Sequence, residues 1–243
     1  MNPAGRLLAA LDHTRLGAED TAATIVEWCK DAATGPRPAA VCVYPAHAAI
    51  ARGALDAAGA PEVAVAAVVN FPDGGDDLAR ALSETHFALD AGAAEIDLVF
   101  PWHAHLAGDR TIGARMLAQC REACRSGILK VILETGELRD TRVIQELSTV
   151  ALDAGADFIK TSTGTTATGA TPQAARAILE CLRARGRGGF KASGGFRSIV
   201  EAGRYLELAD GILGEGWARP ATFRIGASSL LGELRVLLAT ATG

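Results

Sequence analysis

The chain contains four lysines against twenty arginines, and three of the four, Lys130, Lys160 and Lys191, lie in or at the end of short apolar runs. Arginine serves a solvated charge or an ion pair at least as well, but only lysine has an amine that can lose its proton and attack a carbonyl. The runs are Ile128-Leu129-Lys130-Val131-Ile132-Leu133, Asp157-Phe158-Ile159-Lys160-Thr161-Ser162 and Gly189-Phe190-Lys191-Ala192-Ser193. They read as buried strands, so their lysines point to amine chemistry. An isolated lysine can snorkel from a strand end to solvent, yet two more in equivalent places weigh against that for Lys160. A Schiff-base lysine must be neutral, and its pKa falls when it is desolvated or set beside another ammonium. Lys160 and Lys191, on consecutive strands, would share a cavity, one as nucleophile and the other as electrostatic activator; these residues alone do not decide which. Asp97, inside Glu95-Ile96-Asp97-Leu98-Val99, is a buried acid that needs a cationic partner. It reads either as a structural ion pair with Lys130 or Lys191 or as a proton shuttle. Glu134 is expected to pair with Lys130 and hold the lysine array.

Three glycine- and hydroxyl-rich stretches follow strands: Thr161-Ser162-Thr163-Gly164, Ser193-Gly194-Gly195 and Gly226-Ala227-Ser228-Ser229. Backbone N–H groups in such turns, leading into helix N-termini, favour an anion. Together they suggest a phosphorylated substrate. No metal is expected. His103 and His105 form an H-x-H, but no third ligand is evident, and a polar loop beside Trp102 is the better reading. Five cysteines, Cys29, Cys42, Cys120, Cys124 and Cys181, are odd in number and scattered without a C-x-x-C pair. That argues against both a disulfide framework and a zinc site, and for reduced thiols.

The elements that must position these groups alternate along the chain. Strands are expected near Ala40–Tyr44, Val63–Asn70, Glu95–Phe100, Ile128–Glu134, Asp157–Lys160, Gly189–Ala192, Gly211–Gly214 and Phe223–Gly226. Between them, Leu78–Ala91, Arg115–Arg125, Thr141–Ala154 and Pro172–Arg185 carry apolar residues at helical spacing. Glycine signals such as Asp90-Ala91-Gly92 and Asp153-Ala154-Gly155 end two of these helices. Eight strands alternating with helices over 243 residues fit an α/β (β/α)8 TIM barrel, a single domain spanning 1–243, with an N-terminal capping helix drawn from Ala4–Leu11 and Thr21–Lys30. An open doubly wound sheet fits less well, because no G-x-G-x-x-G follows the first strand. A net charge of −4 and only a short Arg183–Arg187 cluster exclude a nucleic-acid surface. No apolar stretch approaches the ~18 residues of a membrane span, and Met1–Ala10 lacks a secretory pattern. A cytoplasmic protein is expected.

Phe158-Ile159-Lys160-Thr161-Ser162-Thr163-Gly164 with Gly169-Ala170-Thr171 resembles the signature of the class I deoxyribose-phosphate aldolases. The likeness extends through Asn70-Phe71-Pro72, Glu95-Ile96-Asp97-Leu98-Val99, Val131-Ile132-Leu133-Glu134-Thr135-Gly136-Glu137-Leu138, Lys191-Ala192-Ser193-Gly194-Gly195 and Gly226-Ala227-Ser228-Ser229-Leu230-Leu231, in order through almost the whole chain. The resemblance implies reversible, metal-independent cleavage of 2-deoxy-D-ribose 5-phosphate to acetaldehyde and D-glyceraldehyde 3-phosphate, with no cofactor. It implies Lys160 as the imine-forming residue, Lys191 as the group that lowers its pKa, and Asp97 as a proton relay. Asp12 and Thr14 would line the sugar pocket, and Cys42 would sit beside the reacting carbon. Gly164, Gly194, Gly195, Ser228 and Ser229 would contact phosphate. Relatives are often dimers, so a homodimer is expected. The chain departs from the pattern at Thr165, where some relatives carry a lysine, and at Thr242-Gly243, where many members carry a tail ending in tyrosine. The expected consequences are weaker phosphate binding and less efficient proton transfer.

Overall fold

Short alternating runs form the strands, and the computed structural model, which describes residues 2–240, closes them into a barrel. The strands are β1 (Leu11–Thr14), β2 (Ala40–Val43), β3 (Ala64–Val69), β4 (Glu95–Val99), β5 (Ile128–Ile132), β6 (Phe158–Lys160), β7 (Gly189–Ser193) and β8 (Phe223–Ala227). Each pairs in parallel with the next, and β8 closes on β1. The helices are α1 (Pro3–Ala9), α2 (Ala22–Ala33), α3 (Ala48–Ala57), α4 (Leu78–Asp90), α5 (Trp102–Leu106), α6 (Ile112–Cys124), α7 (Thr135–Leu138), α8 (Thr141–Asp153), α9 (Pro172–Arg185), α10 (Ile199–Leu213) and α11 (Leu230–Thr240). This is the (β/α)8 TIM barrel expected from the sequence. Among the described residues, no helix is long and apolar enough to cross a membrane.

Strand side chains alternate between faces, and here the alternation puts charge inside. The outward set, including Val41, Val65, Ile96, Leu98, Val131, Ile159, Phe190 and Ile225, is buried under the helices and supplies the hydrophobic layer. Asp12, Glu95, Asp97, Lys130, Lys160, Lys191 and Arg224 occupy the interior, where barrels of this kind usually hold branched apolar residues. N-terminal to the charged layer, Phe158 fills the barrel beside Gly189, its register partner on β7. The N-terminal helix α1 is pinned by Arg6, whose guanidinium lies 2.7 Å from Asp210 and donates to the Ala218 carbonyl at 2.9 Å. It leads into the N-terminal end of β1 and packs against α10 and α11.

Eight strands form, but not the eight expected. Gly211–Gly214 is not a strand; it is the last turn of α10 and its C-cap. The helical spacing Ala202, Tyr205, Leu206, Ala209 continues through Ile212 and Leu213, which pack against the core. Flanking glycines made that turn look like an isolated apolar run. The missing strand is β1, Leu11-Asp12-His13-Thr14. Its inward aspartate disguises it as a loop, because the compensating cations come from β5, β7 and β8. The segment Thr21–Lys30 belongs to α2, an ordinary barrel helix between β1 and β2, so capping falls to α1 alone.

The Phe158–Gly189 contact yields a stability prediction. A Cβ at Gly189 would lie 2.5–2.9 Å from three Phe158 ring atoms, so Gly189→Ala forces the ring to move. Urea titration should show a loss of ~1–3 kcal/mol, the usual cost of overpacking; an unchanged midpoint would contradict this packing.

Candidate active site

Four cations and three carboxylates meet inside the barrel. Asp97 on β4 accepts from three amines: Lys130 at 2.9 Å on Oδ1, and Lys160 at 2.8 Å and Lys191 at 2.7 Å on Oδ2. Asp12 on β1 accepts from Lys191, lies 3.2 Å from Lys130, and receives Arg224 at 2.6 Å on its other oxygen. Glu95, two residues before Asp97 on the same face, pairs with Lys130 and with Arg224 at 2.9 Å. All seven residues are buried. Parallel register explains the convergence: Lys160 is the Cα partner of Lys191, Lys191 of Arg224, and Asp97 of Lys130.

A fully ionised set carries one unbalanced positive charge. Burying a charge costs several kcal/mol even after relaxation, and only close partners offset that cost. Lys130 has three carboxylates and Lys191 has two, whereas Lys160 has one oxygen of Asp97, which it shares with Lys191. Burial opposes protonation in all three lysines. In Lys191 and Lys130 the surrounding carboxylates outweigh it and hold the amines above their ordinary value. In Lys160 burial dominates over the attraction of Asp97, the Lys191 ammonium adds to it, and the pKa falls. The same lysines overcome burial at Asp97 and hold its carboxyl well below the usual range. Of the three lysines, Lys160 is the one with the fewest carboxylate partners and a lowered pKa.

Lys160 also reaches the surface of a cavity of about 400 Å³, lined in addition by Thr14, Gly164, Ser193, Gly194, Gly195, Arg197, Ser228 and Ser229 among others. Of the residues expected at the site, Lys160, Thr14 and the glycine and serine set line this cavity. Asp97, Lys191, Asp12 and Cys42 lie beneath it, fully buried. Asp12, expected to line the sugar pocket, is engaged by Lys130, Lys191 and Arg224 instead. Cys42 places its sulfur 4.0 Å from Asp97, and burial, then the Asp97 charge, pushes its thiol pKa up. His13 alternates outward from Asp12 and stacks on Trp28 at 4.7 Å. Burial draws its pKa down to about 4. His103 and His105 lie on α5, where His105 packs edge-on against Phe100. Thr242 and Gly243 lie outside the described residues.

The rim is built from three loops. Gly194 adopts φ +99 and abuts Gly169, and Ala170 donates to the Ser193 carbonyl at 3.1 Å. A Cβ on Gly169 would strike the Gly194 carbonyl oxygen, so the loops after β6 and β7 fit only without side chains there. These loops and the one after β8 lead toward the N-termini of α9, α10 and α11, and the two glycine–serine turns follow β7 and β8. Glu134 does not pair with Lys130. A left-handed turn at φ 57 directs its carboxylate to the loop after β6, where it accepts from the Thr163 N–H at 3.3 Å and the Thr163 and Thr166 hydroxyls. Burial pushes its pKa up. Sequence reasoning missed two contributors. Arg197 lines the cavity beside the glycine pair, two residues after Gly195, and could have been flagged by that position. Arg224 inside β8 was visible only as a charge in an apolar strand.

A family model described as DeoC/LacD family aldolase matches residues 6–230. A Toxoplasma gondii ME49 protein, provisionally assigned as a deoxyribose-phosphate aldolase and crystallised in its apo form, is 28% identical to this chain. The two superpose with a TM-score of 0.90 over 98% of this chain and 96% of that one. A structure described as QR15, an aldolase, is 30% identical over 97% of both chains, with a TM-score of 0.80. The tetrameric deoxyribose phosphate aldolase of Aeropyrum pernix is 28% identical, with a TM-score of 0.79 over 98% of this chain and 93% of that one.

Proposed function

This chain belongs to the DeoC/LacD family of aldolases, and from that premise we propose that it reversibly cleaves 2-deoxy-D-ribose 5-phosphate to acetaldehyde and D-glyceraldehyde 3-phosphate through an imine on Lys160. The observation that carries this reading is the placement of Lys160: a desolvated amine with a single shared carboxylate oxygen, at the wall of the cavity. Its neutral Nζ attacks C1 of the open-chain sugar. The resulting carbinolamine loses water to give a protonated imine, which withdraws electrons from the C2–C3 bond. Loss of the C3 hydroxyl proton breaks that bond, releases glyceraldehyde 3-phosphate and leaves an enamine. Protonation at C2 and addition of water then free acetaldehyde and regenerate the amine. Asp97, bonded to both Lys160 and Lys191, is suited to pass protons in the dehydration and hydrolysis steps. Imine formation on Lys160 makes this a class I, metal-independent mechanism.

The far side of the cavity suits the 5-phosphate. Gly164, Gly194, Gly195, Ser228 and Ser229 offer backbone N–H and hydroxyl donors, and α10 and α11 point their N-termini toward it. Arg197 supplies the cationic group that Thr165 does not. Buried, free cysteines among the described residues accord with a cytoplasmic setting.

Two outcomes follow. Intact mass after incubation with 2-deoxyribose 5-phosphate and borohydride should show a substrate-dependent adduct that is lost in Lys160→Leu; no adduct on the native chain would remove the imine reading. Arg197→Ala should raise KM for the 5-phosphate ~10–100-fold, the equivalent of one charge-assisted hydrogen bond, while free 2-deoxyribose turns over as before. Equal losses on both substrates would place Arg197 outside the phosphate subsite.

A further inference from the structure

Glu95 and Arg224 are the members of the interior cluster furthest from the chemistry above, with no contact to Lys160. They line no part of the cavity and lie one layer down: Glu95 is two residues before Asp97 on β4, and Arg224 is two residues before Gly226, the β8 register partner of Asp12. They are nevertheless bonded to each other through both guanidinium ends, at 2.9 and 3.2 Å, and to the remainder of the cluster. Arg224 holds one oxygen of Asp12, which leaves the other for Lys191 and Lys130. Glu95 holds Lys130 from below while Asp97 holds it from above. Arg224 is further fixed by the Pro220 carbonyl at 2.7 Å and by the Phe158 ring at 5.7 Å. An ion pair this elaborate under an active site is more than filler. A pair of apolar residues would fill the same volume at no desolvation cost.

We propose that Glu95 and Arg224 are positioning residues that fix the charge parity of the barrel interior and thereby leave Lys160 as the unprotonated amine. This rests on the imine reading. With Arg224 present, four cations oppose three carboxylates, and the set is neutral when Lys160 gives up its proton. Without the Arg224 charge, three cations oppose three carboxylates, and Lys160 keeps its proton to higher pH. Without the Glu95 charge, four cations oppose two carboxylates, and Lys160 loses its proton at lower pH. Register places Arg224 two strands from Lys160, a separation of ~10 Å at sheet spacing. At an effective dielectric constant near 20, a unit charge at that distance moves a titration by about one pH unit. The groups that act on Lys160 directly are Asp97 on β4, Lys191 on β7, Cys42 on β2 and Glu134 beyond β5, and Lys130 on β5 reaches it through the Asp97 they share. All of them stay unchanged in the variants below.

The test is the pH dependence of kcat/KM for 2-deoxyribose 5-phosphate cleavage, which reports the free enzyme. Four chains are compared: native, Glu95→Gln, Arg224→Gln and the double variant. The acid limb should move down by about one pH unit in Glu95→Gln, up by about one unit in Arg224→Gln, and return near its native position when both charges are removed. Arg224→Lys keeps the charge without the fork and should leave the limb in place. A structural role alone would lower kcat without moving the limb, or move it the same way in both single variants, and either result overturns the proposal. Should Arg224→Gln fail to fold, Glu95→Gln still decides, since an unmoved or raised limb there overturns it. A native chain that forms no borohydride adduct overturns the imine reading itself. An adduct on the native chain with unmoved limbs in the variants overturns this inference alone.

Discussion

An excess of one basic group over carboxylates inside the barrel is the constraint on which the site depends. A closed parallel barrel gives interior groups no access to solvent except at its ends, so ionisation is decided by neighbours. Here the neighbours are counted out by geometry. Lys130 and Lys191 are locked as ammonium ions by two or three carboxylates each, and Lys160 has a share of one. Lys160 is also the one that reaches the cavity wall. The same arrangement explains why Asp97 remains ionised while fully buried.

The fold serves this cluster in two ways. Inward positions of β1, β4, β5, β6, β7 and β8 carry the charges, while β2 and β3 contribute the small residues Ala40, Cys42 and Ala66, which leave room for the long lysine stems. The outward positions, His13 apart, are apolar and buried by the helices, so the hydrophobic layer that holds the barrel together is kept outside the strands. At the C-terminal rim, glycines allow the loops after β6 and β7 to touch, and Glu134 ties the first of these loops to the end of β5. The site therefore has a rigid ionic floor and a rim of backbone donors, with Arg197 as the cation of the rim.

Much of this was legible in the sequence, for identifiable reasons. Lysines in apolar strands are conspicuous because their burial is costly, so Lys160, Lys191 and Asp97 stood out. Glycine–hydroxyl turns were recognisable only as a set of three, because a single one is an ordinary loop closure. What was hidden depended on long-range pairing. Leu11–Thr14 has no apolar alternation of its own, since its inward Asp12 is balanced by cations more than a hundred residues away. The last turn of α10 imitated a strand because four residues are too few to reveal a period. Glu134 departs from the expected pairing with Lys130 because its left-handed backbone turns it out of the strand's alternation, which spacing alone does not reveal.

The most direct test of the account is the titration of the amines themselves. Four lysines in the chain make a lysine-labelled NMR spectrum simple enough to resolve every side chain, with Lys160→Leu to assign the critical one. The account predicts that one amine titrates below the ordinary lysine value of about 10.4 and that its signal vanishes in Lys160→Leu, while Lys130 and Lys191 stay protonated beyond it. If the low-titrating signal survives in Lys160→Leu, or no amine titrates below that value, Lys160 is not the amine that the geometry leaves without a proton.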